Sequence, residues 1–220
     1  MRLADAQLEL LRGENVRTIF DIGTQHGDTT LAFYNNFPDA RIFGFEAEPT
    51  NFESSKRALA RCSDRVDLIP NAVGQEDAIV QFNVATHDGA GSLLSFDDTR
   101  FAEGPVETLR MIDVQQASLD SFCETRNIDK IDLCQMDVQG AELLVLQGAA
   151  TLLSEKRIKL LSCEVLFTPV YSQQPYFWDV CSYLNEFGYG LYDLYEKIYH
   201  RKSENILCWA DAIFVCPELE

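Results

Sequence analysis

The chain has 220 residues, 46% of them apolar and 24% charged, and its 18 Lys and Arg against 35 Asp and Glu leave a formal charge of −17. A chain of this length buries roughly 70–75% of the surface its unfolded form exposes and needs no disulfide or metal staple, and its ordinary composition excludes disordered, collagenous and low-complexity classes. So large an acid excess repels phosphate backbones and anionic lipid, which sets aside nucleic acid and membrane surfaces as partners.

In chain order, Ala4, Leu8 and Leu11 recur at helical spacing and predict a short amphipathic helix ending near Gly13. Acids in this opening stretch interrupt the apolar run that a signal peptide needs. Residues 16–23, V-R-T-I-F-D-I-G, read as an apolar strand running into glycine. A helix over 28–36 follows, broken by Pro38-Asp39, and a second strand over 41–46 ends on Glu46. Thr50 or Asn51 is expected to cap the next helix, and a third strand over 66–69 is stopped by Pro70. Strand alternating with helix predicts parallel pairing.

Between about 74 and 120 the rhythm changes. Strands over 79–84 and 109–114 flank a glycine-rich loop at 87–92 and a polar, acidic stretch at 97–107, an insertion of short antiparallel strands. The first rhythm then resumes: a helix opened by Ser118, a fourth main strand over 131–136 ending at Asp137, and a helix from about Ala141 with Gly148 as its cap or break. A fifth strand over 159–165, a helix over 176–187 and two antiparallel strands over 189–195 and 209–216 complete the chain. The expected fold is α/β, one Rossmann-like domain over 1–220 with about seven strands, the last antiparallel, and an insertion at about 74–120. Seven cysteines form no C-x-x-C pair and several lie in apolar runs, so reduced, buried thiols are expected. No run of about 18 apolar residues predicts a membrane span, and the cytoplasm is the default compartment.

The chemistry gathers at strand ends. Asp21-Ile22-Gly23-Thr24-Gln25-His26-Gly27 joins the first strand to its helix with G-x-x-x-G spacing, not the G-x-G-x-x-G of dinucleotide binders. Glycines here let a ligand lie against backbone. An acid at Asp21 offends a pyrophosphate but suits an ammonium group, as in the amino-acid moiety of S-adenosylmethionine. A tight turn with an acid capping the helix explains the same residues. Gly23, Gln25, Gly27 and Thr29 are the further candidate contacts of this loop. Glu46 lies 23 residues after Gly23, close to the spacing of about 20 at which an acid accepts from ribose hydroxyls; Glu48 is the alternative acid, and Ala47 lies between. In Asn71-Ala72-Val73-Gly74, Ala72 is small enough to lie on a purine whose edge Asn71 or the backbone reads.

Asp137 ends the fourth main strand beside the same crevice and is the candidate to orient an acceptor hydroxyl or take its proton, with a share in the cofactor site. His87, in the insertion loop, is the reserve base. Glu142 is expected to face the start of its own helix. Glu164, flanked by apolar strand residues, must be paired, protonated or functional; with Ser92 it is the candidate acceptor contact. No histidine has a His or Cys at ligand spacing, so no metal site is expected. Tyr171, Tyr176, Phe177 and Trp178 read either as core or as a wall for a sugar ring.

These residues resemble the FkbM-type family of S-adenosylmethionine-dependent methyltransferases over nearly the whole chain. The family's F-D-I-G-A-N-x-G-x-x-T is similar to Phe20 through Thr30, its F-E-P to Phe45-Glu46-Ala47-Glu48-Pro49 with two residues inserted, and its N-x-A-x-G to Asn71-Ala72-Val73-Gly74. Its L-D segment is similar to Leu119-Asp120, and its specific run I-D-L-x-K-I-D-V-E-G-A-E-x-x-V-L-x-G-A to Ile131 through Ala149. Within that run the usual lysine is Gln135 and the usual glutamate is Gln139. The resemblance implies a class I methyltransferase sheet and O-methylation of a small-molecule or glycan acceptor, a sugar or a secondary-metabolite hydroxyl. A homo-oligomer stays open. A non-catalytic cofactor-binding module, motivated by the two glutamines, is the alternative, and a nicotinamide oxidoreductase is a further one that Asp21 and the missing G-x-G-x-x-G oppose.

Overall fold

The computed structural model describes residues 2–96, 106–200 and 205–217. In chain order the elements are α1 (Leu3–Leu10), β1 (Thr18–Ile22), α2 (Asp28–Asn36), β2 (Arg41–Phe45), α3 (Pro49–Ala58), β3 (Val66–Ile69), β4 (Ala72–Val73), β5 (Ala78–Ala85) and β6 (Thr108–Ala117). There follow α4 (Leu119–Arg126), β7 (Ile131–Met136), α5 (Glu142–Gln147), α6 (Ala150–Ser154), β8 (Ile158–Leu166), α7 (Phe177–Glu186), β9 (Gly190–Tyr199) and β10 (Leu207–Val215). Among the described residues no helix is long and apolar enough to cross a membrane.

The fold is α/β, built on a seven-stranded sheet of order β3-β2-β1-β7-β8-β10-β9. All pairings from β3 through β8 are parallel, and β10 runs antiparallel to both its neighbours. The strand order reverses at β1, which pairs Ile22 with Phe45 on one side and with Met136 on the other. The crevice beyond the carboxyl ends at such a reversal is where open α/β sheets bind ligands.

The sheet is apolar on both faces because helices cover both. Phe20, Ile22, Phe45 and Met136 face one layer, where Phe122 of α4 meets Phe20 edge-on with ring centroids 5.8 Å apart. Ile19, Ile42 and Leu133 face the other, with Phe33 of α2 and Leu11 after α1. The period of two along β1 therefore turns Asp21 toward α2, on the same side as Ile19.

Several boundaries differ from the sequence expectation. Glu48, not Thr50 or Asn51, caps α3: its carboxylate accepts from the Asn51 amide at 3.1 Å, and Pro49 occupies the first helical position, where its missing N–H costs nothing. Gly148 does end α5 ahead of α6, as expected, but with a right-handed φ of −75°. A Cβ there would stand 2.0 Å from the Gly74 carbonyl oxygen, so the residue is glycine for close packing. The inserted strands form a second sheet of order β4-β6-β5, in which β5 and β6 are antiparallel but β4 is parallel to β6, pairing Ala72 with Gln116. That pairing anchors the Asn71-Ala72-Val73-Gly74 segment to the insertion. Residues 97–105 of the acidic stretch lie outside the described residues.

Gln135 and Gln139 have separate partners. Gln7 Nε2 of α1 donates to Gln135 Oε1 at 2.7 Å, with both side chains buried. Gln7→Leu strands a buried acceptor and is expected to cost about 1–3 kcal/mol in urea unfolding, whereas Gln7→Leu with Gln135→Leu recovers most of the loss.

Candidate functional site

A cleft enclosing about 800 Å³ of non-protein space, part of it open to solvent, lies beyond the carboxyl ends of β1, β2, β3 and β7. Gly23 makes its floor possible: φ is +89°, and a Cβ would fall 2.0 Å from the Asp137 carbonyl oxygen. The Gly23 and Thr24 amides donate to the Phe45 carbonyl at 2.9 and 3.0 Å, and the Asp137 amide donates to the Ile22 carbonyl at 2.9 Å. The end of β1 is thereby tied to both neighbouring strands.

Glu46 lines the cleft and joins two loops. Its Oε2 accepts from the Gln25 amide at 2.8 Å and its Oε1 from the Glu48 amide at 2.8 Å. Gln25 holds a positive φ of +48°, and this bond helps keep it there. Burial raises the Glu46 carboxyl to about 7, against the two amides that favour its charged form. Each oxygen still has an acceptor direction unused by those amides. Gly23, Gln25, Ala47, Asn71 and Ala72 line the same cleft, so three successive loops converge on it.

Three residues of the expected cofactor set do not reach the lining. Asp21 is buried against α2, accepts a hydrogen bond from the Thr30 hydroxyl, and is pushed up to about 7, first by burial. Its strand phase turns it toward α2, although the cleft-lining Asp137 and Glu46 are near enough to raise it further. Thr29 is exposed on α2, and Thr30 is the hydroxyl that matters structurally. Gly27 caps α2 in the left-handed region against Leu59.

Asp137 faces the cleft and is exposed to it. Gln139 Nε2 donates to its Oδ1 at 2.7 Å, while the protein packed around the carboxyl pushes its pKa upward. Glu142 is buried and accepts from the Val138 and Gly140 amides at 3.1 and 3.4 Å; burial pushes it up to about 8. Glu164 stands behind Gln139, outside the lining, and burial with the neighbouring Asp137, Glu142 and Asp211 holds it well above the usual carboxylate range. Ser92 is fully buried and also outside the lining. Its hydroxyl donates to the Gln139 carbonyl at 2.8 Å and accepts from the Leu94 amide at 3.0 Å, so the chain itself consumes it.

His87 is exposed and lines the cleft from the insertion. His26 pairs with Asp88 of that insertion loop, Nε2 to Oδ2 at 2.6 Å, bridging the mouth. Phe82, Val84 and Leu93 supply an apolar wall that sequence reasoning missed. The signal was present, because Phe82 and Val84 lie two residues apart on one strand face. The aromatic stretch divides: Tyr171 is buried, Phe177 stacks on Phe167, and Tyr176 stacks on the exposed Trp178 outside the lining.

Comparison with known proteins adds to this geometry. A family model described as the methyltransferase FkbM domain matches residues 21–191. The 2-O-methyltransferase NoeI of Sinorhizobium fredii (strain NBRC 101917 / NGR234) is 31% identical over 159 residues, covering 63% of this chain and 60% of that protein. Methyltransferase 1 of Beauveria bassiana (strain ARSEF 2860) is 27% identical over 143 residues, 59% of this chain and 57% of that one. The chain thus spans about six tenths of the length of the curated relatives it matches. A precorrin-6y C5,15-methyltransferase from Geobacter metallireducens GS-15 shares the fold at 12% identity with a TM-score of 0.53, over 97% of this chain and 86% of that one. An rRNA methylase from Streptococcus thermophilus does so at 11% identity and 0.51, over 97% and 93%.

The crowded carboxyls make stability depend on pH. Asp21, Glu46 and Asp211 are raised to about 7 and Glu142 to about 8. Unfolding returns them to ordinary values, so between about 4.5 and 8 the folded chain binds more protons than the unfolded one and stability falls as pH rises. The thermal midpoint of the ligand-free protein is expected to be lower at pH 8 than at pH 5.5. Glu142→Gln keeps the acceptor for Val138 and Gly140 and removes the charge, so it flattens that slope; scanning calorimetry across the window checks it.

Proposed function

The chain belongs to the FkbM methyltransferase family, and on that premise we propose that it methylates a hydroxyl of a sugar, glycan or secondary metabolite with S-adenosylmethionine as donor. The observation that carries this is the Glu46 carboxylate, fixed by two backbone amides at the mouth of the reversal crevice. The donor set fits the cofactor: an acid with acceptor capacity left for vicinal hydroxyls, small Ala47 and Ala72 for a flat base, and Asn71 for its edge. When bound, the cofactor supplies a methyl group already activated on sulfur.

The protein's own contribution is alignment and proton removal. Gly23 lets the turn after β1 close against the Asp137 carbonyl and so shapes the floor, and Glu46 sets the ligand's ribose end. The apolar wall of Phe82, Val84 and Leu93 keeps water from the base side. Asp137, open to the cleft, orients the acceptor hydroxyl and takes its proton, a role worth roughly 10²–10⁴ in rate. His87 is placed to contact the acceptor from the insertion. Asp21 acts indirectly, by holding α2 through Thr30 behind the glycine turn. The free state of all seven cysteines suits a reducing compartment such as the cytoplasm.

Calorimetric titration is expected to give affinity for S-adenosylmethionine and its demethylated product and none for NAD. Glu46→Ala is expected to weaken that affinity at least about tenfold. Asp137→Asn leaves affinity nearly intact and lowers methyl transfer in a radiolabel screen over monosaccharides and glycans. Equal affinity in Glu46→Ala, or full transfer in Asp137→Asn, removes the respective assignment.

A further inference from the structure

Asp137 faces the cleft, and a second carboxyl, Glu164 of β8, stands behind it. The side-chain amide of Gln139 lies between them, with Nε2 2.7 Å from Asp137 Oδ1 and 3.5 Å from Glu164 Oε2. On its far side, Gln139 Oε1 accepts from the Tyr171 hydroxyl at 2.6 Å. These partners fix the sense of the amide: turned over, it would aim its oxygen at two carboxyls. The backbone of Gln139 is held independently, at φ +56° with its carbonyl accepting from Ser92 at 2.8 Å. Gly140 gives Tyr171 room to reach it, since a Cβ there would meet the ring at 2.7 Å.

The surroundings are acidic from every side. Asp21 of β1, Glu142 of α5, Glu164 of β8 and Asp211 of β10 all feel Asp137. Glu164 and Asp211 are also in register across the β8–β10 pair. Tyr171 and Cys163 are packed there as well, and Glu46, Glu48, His87 and Asp88 line the cleft that Asp137 faces. Among the ion pairs of the described residues, none joins Asp137, Glu142, Glu164 or Asp211 to a lysine or arginine. The amide donors of Gln139 therefore stand where a cation would. A glutamate at that position would add a third carboxyl to the pair and withdraw both donors.

Resting on the methyl-transfer function above, we propose that Gln139 is a positioning residue whose amide keeps Asp137 ionised beside Glu164 and so sets the lower pH limit of the reaction. The acceptor O–H bond would break with its proton passing to the Asp137 carboxylate, and its bonding pair would form the new O–CH3 bond as the S–CH3 bond of the sulfonium donor breaks, its pair staying on the sulfur that leaves as a neutral thioether. Tyr171 acts one step further out, by fixing the sense of the amide.

The test follows Asp137 directly. Carboxyl-carbon NMR titration of the full chain, with Asp137→Asn assigning the signal, needs no methyl acceptor. In Gln139→Glu the Asp137 midpoint is expected to rise by about one pH unit or more. Tyr171→Phe, which keeps the ring, shifts it the same way by less. The acid limb of kcat/KM for methyl transfer then moves by the same amount, about tenfold in rate below the midpoint, with activity regained at higher pH and KM for the methyl donor unchanged. An Asp137 midpoint that stays put in both variants overturns the proposal, as does a rate loss uniform in pH. A chain that shows the NMR shift but methylates nothing refutes the assigned function and leaves the charge-setting role of Gln139 supported.

Discussion

Two backbone amides from different loops converge on one buried carboxylate, Glu46, and the cleft depends on that convergence. Hydrogen bonds from N–H to a charged acceptor are stronger than neutral ones. This pair holds Gln25 in a conformation that side chains seldom adopt, and sets the exit of β2 at the same time. The turn after β1 is then closed from its other side by contact with Asp137, possible because Gly23 carries no Cβ. Loop geometry at this sheet edge is held by the protein's own hydrogen bonds.

The cost is a concentration of acid. Asp21 of β1, Glu46 just after β2, Glu142 of α5 and Glu164 of β8 are held away from bulk water with amides or a hydroxyl as their hydrogen-bond partners, and burial raises Asp211 of β10 beside them. A core with apolar residues at these positions would be more stable. Stability surrendered at one end of a sheet, while the two apolar layers beneath remain fully packed, is the pattern of a site built for chemistry.

Much of this was legible from residues. The alternation of strand and helix, the glycine turn, Glu46 and the convergence of three loops follow from periodicity and from the acid that closes β2. What was not legible depended on contacts distant in sequence. Asp21 belongs to the most recognisable motif, yet strand phase turns it to Thr30. Ser92 has the chemistry of a ligand contact, but its hydroxyl is used by the backbone of Gln139, 47 residues away. Glu164 signalled an unusual acid correctly, but not that an amide separates it from the cleft. Motifs report which atoms are present at a strand end; which of them are already spent is decided by tertiary packing.

The contact between Gly148 and Gly74 has a mechanical consequence. Backbone meets backbone there with no side chain to act as a cushion. A displacement of the α5–α6 joint toward that contact would press directly on the segment carrying Asn71 and Ala72. The helices behind β7 and the loop beside β3 therefore behave as one lever, and substitutions in the α4–α6 layer, remote from any ligand, will be felt as errors of position inside the cleft.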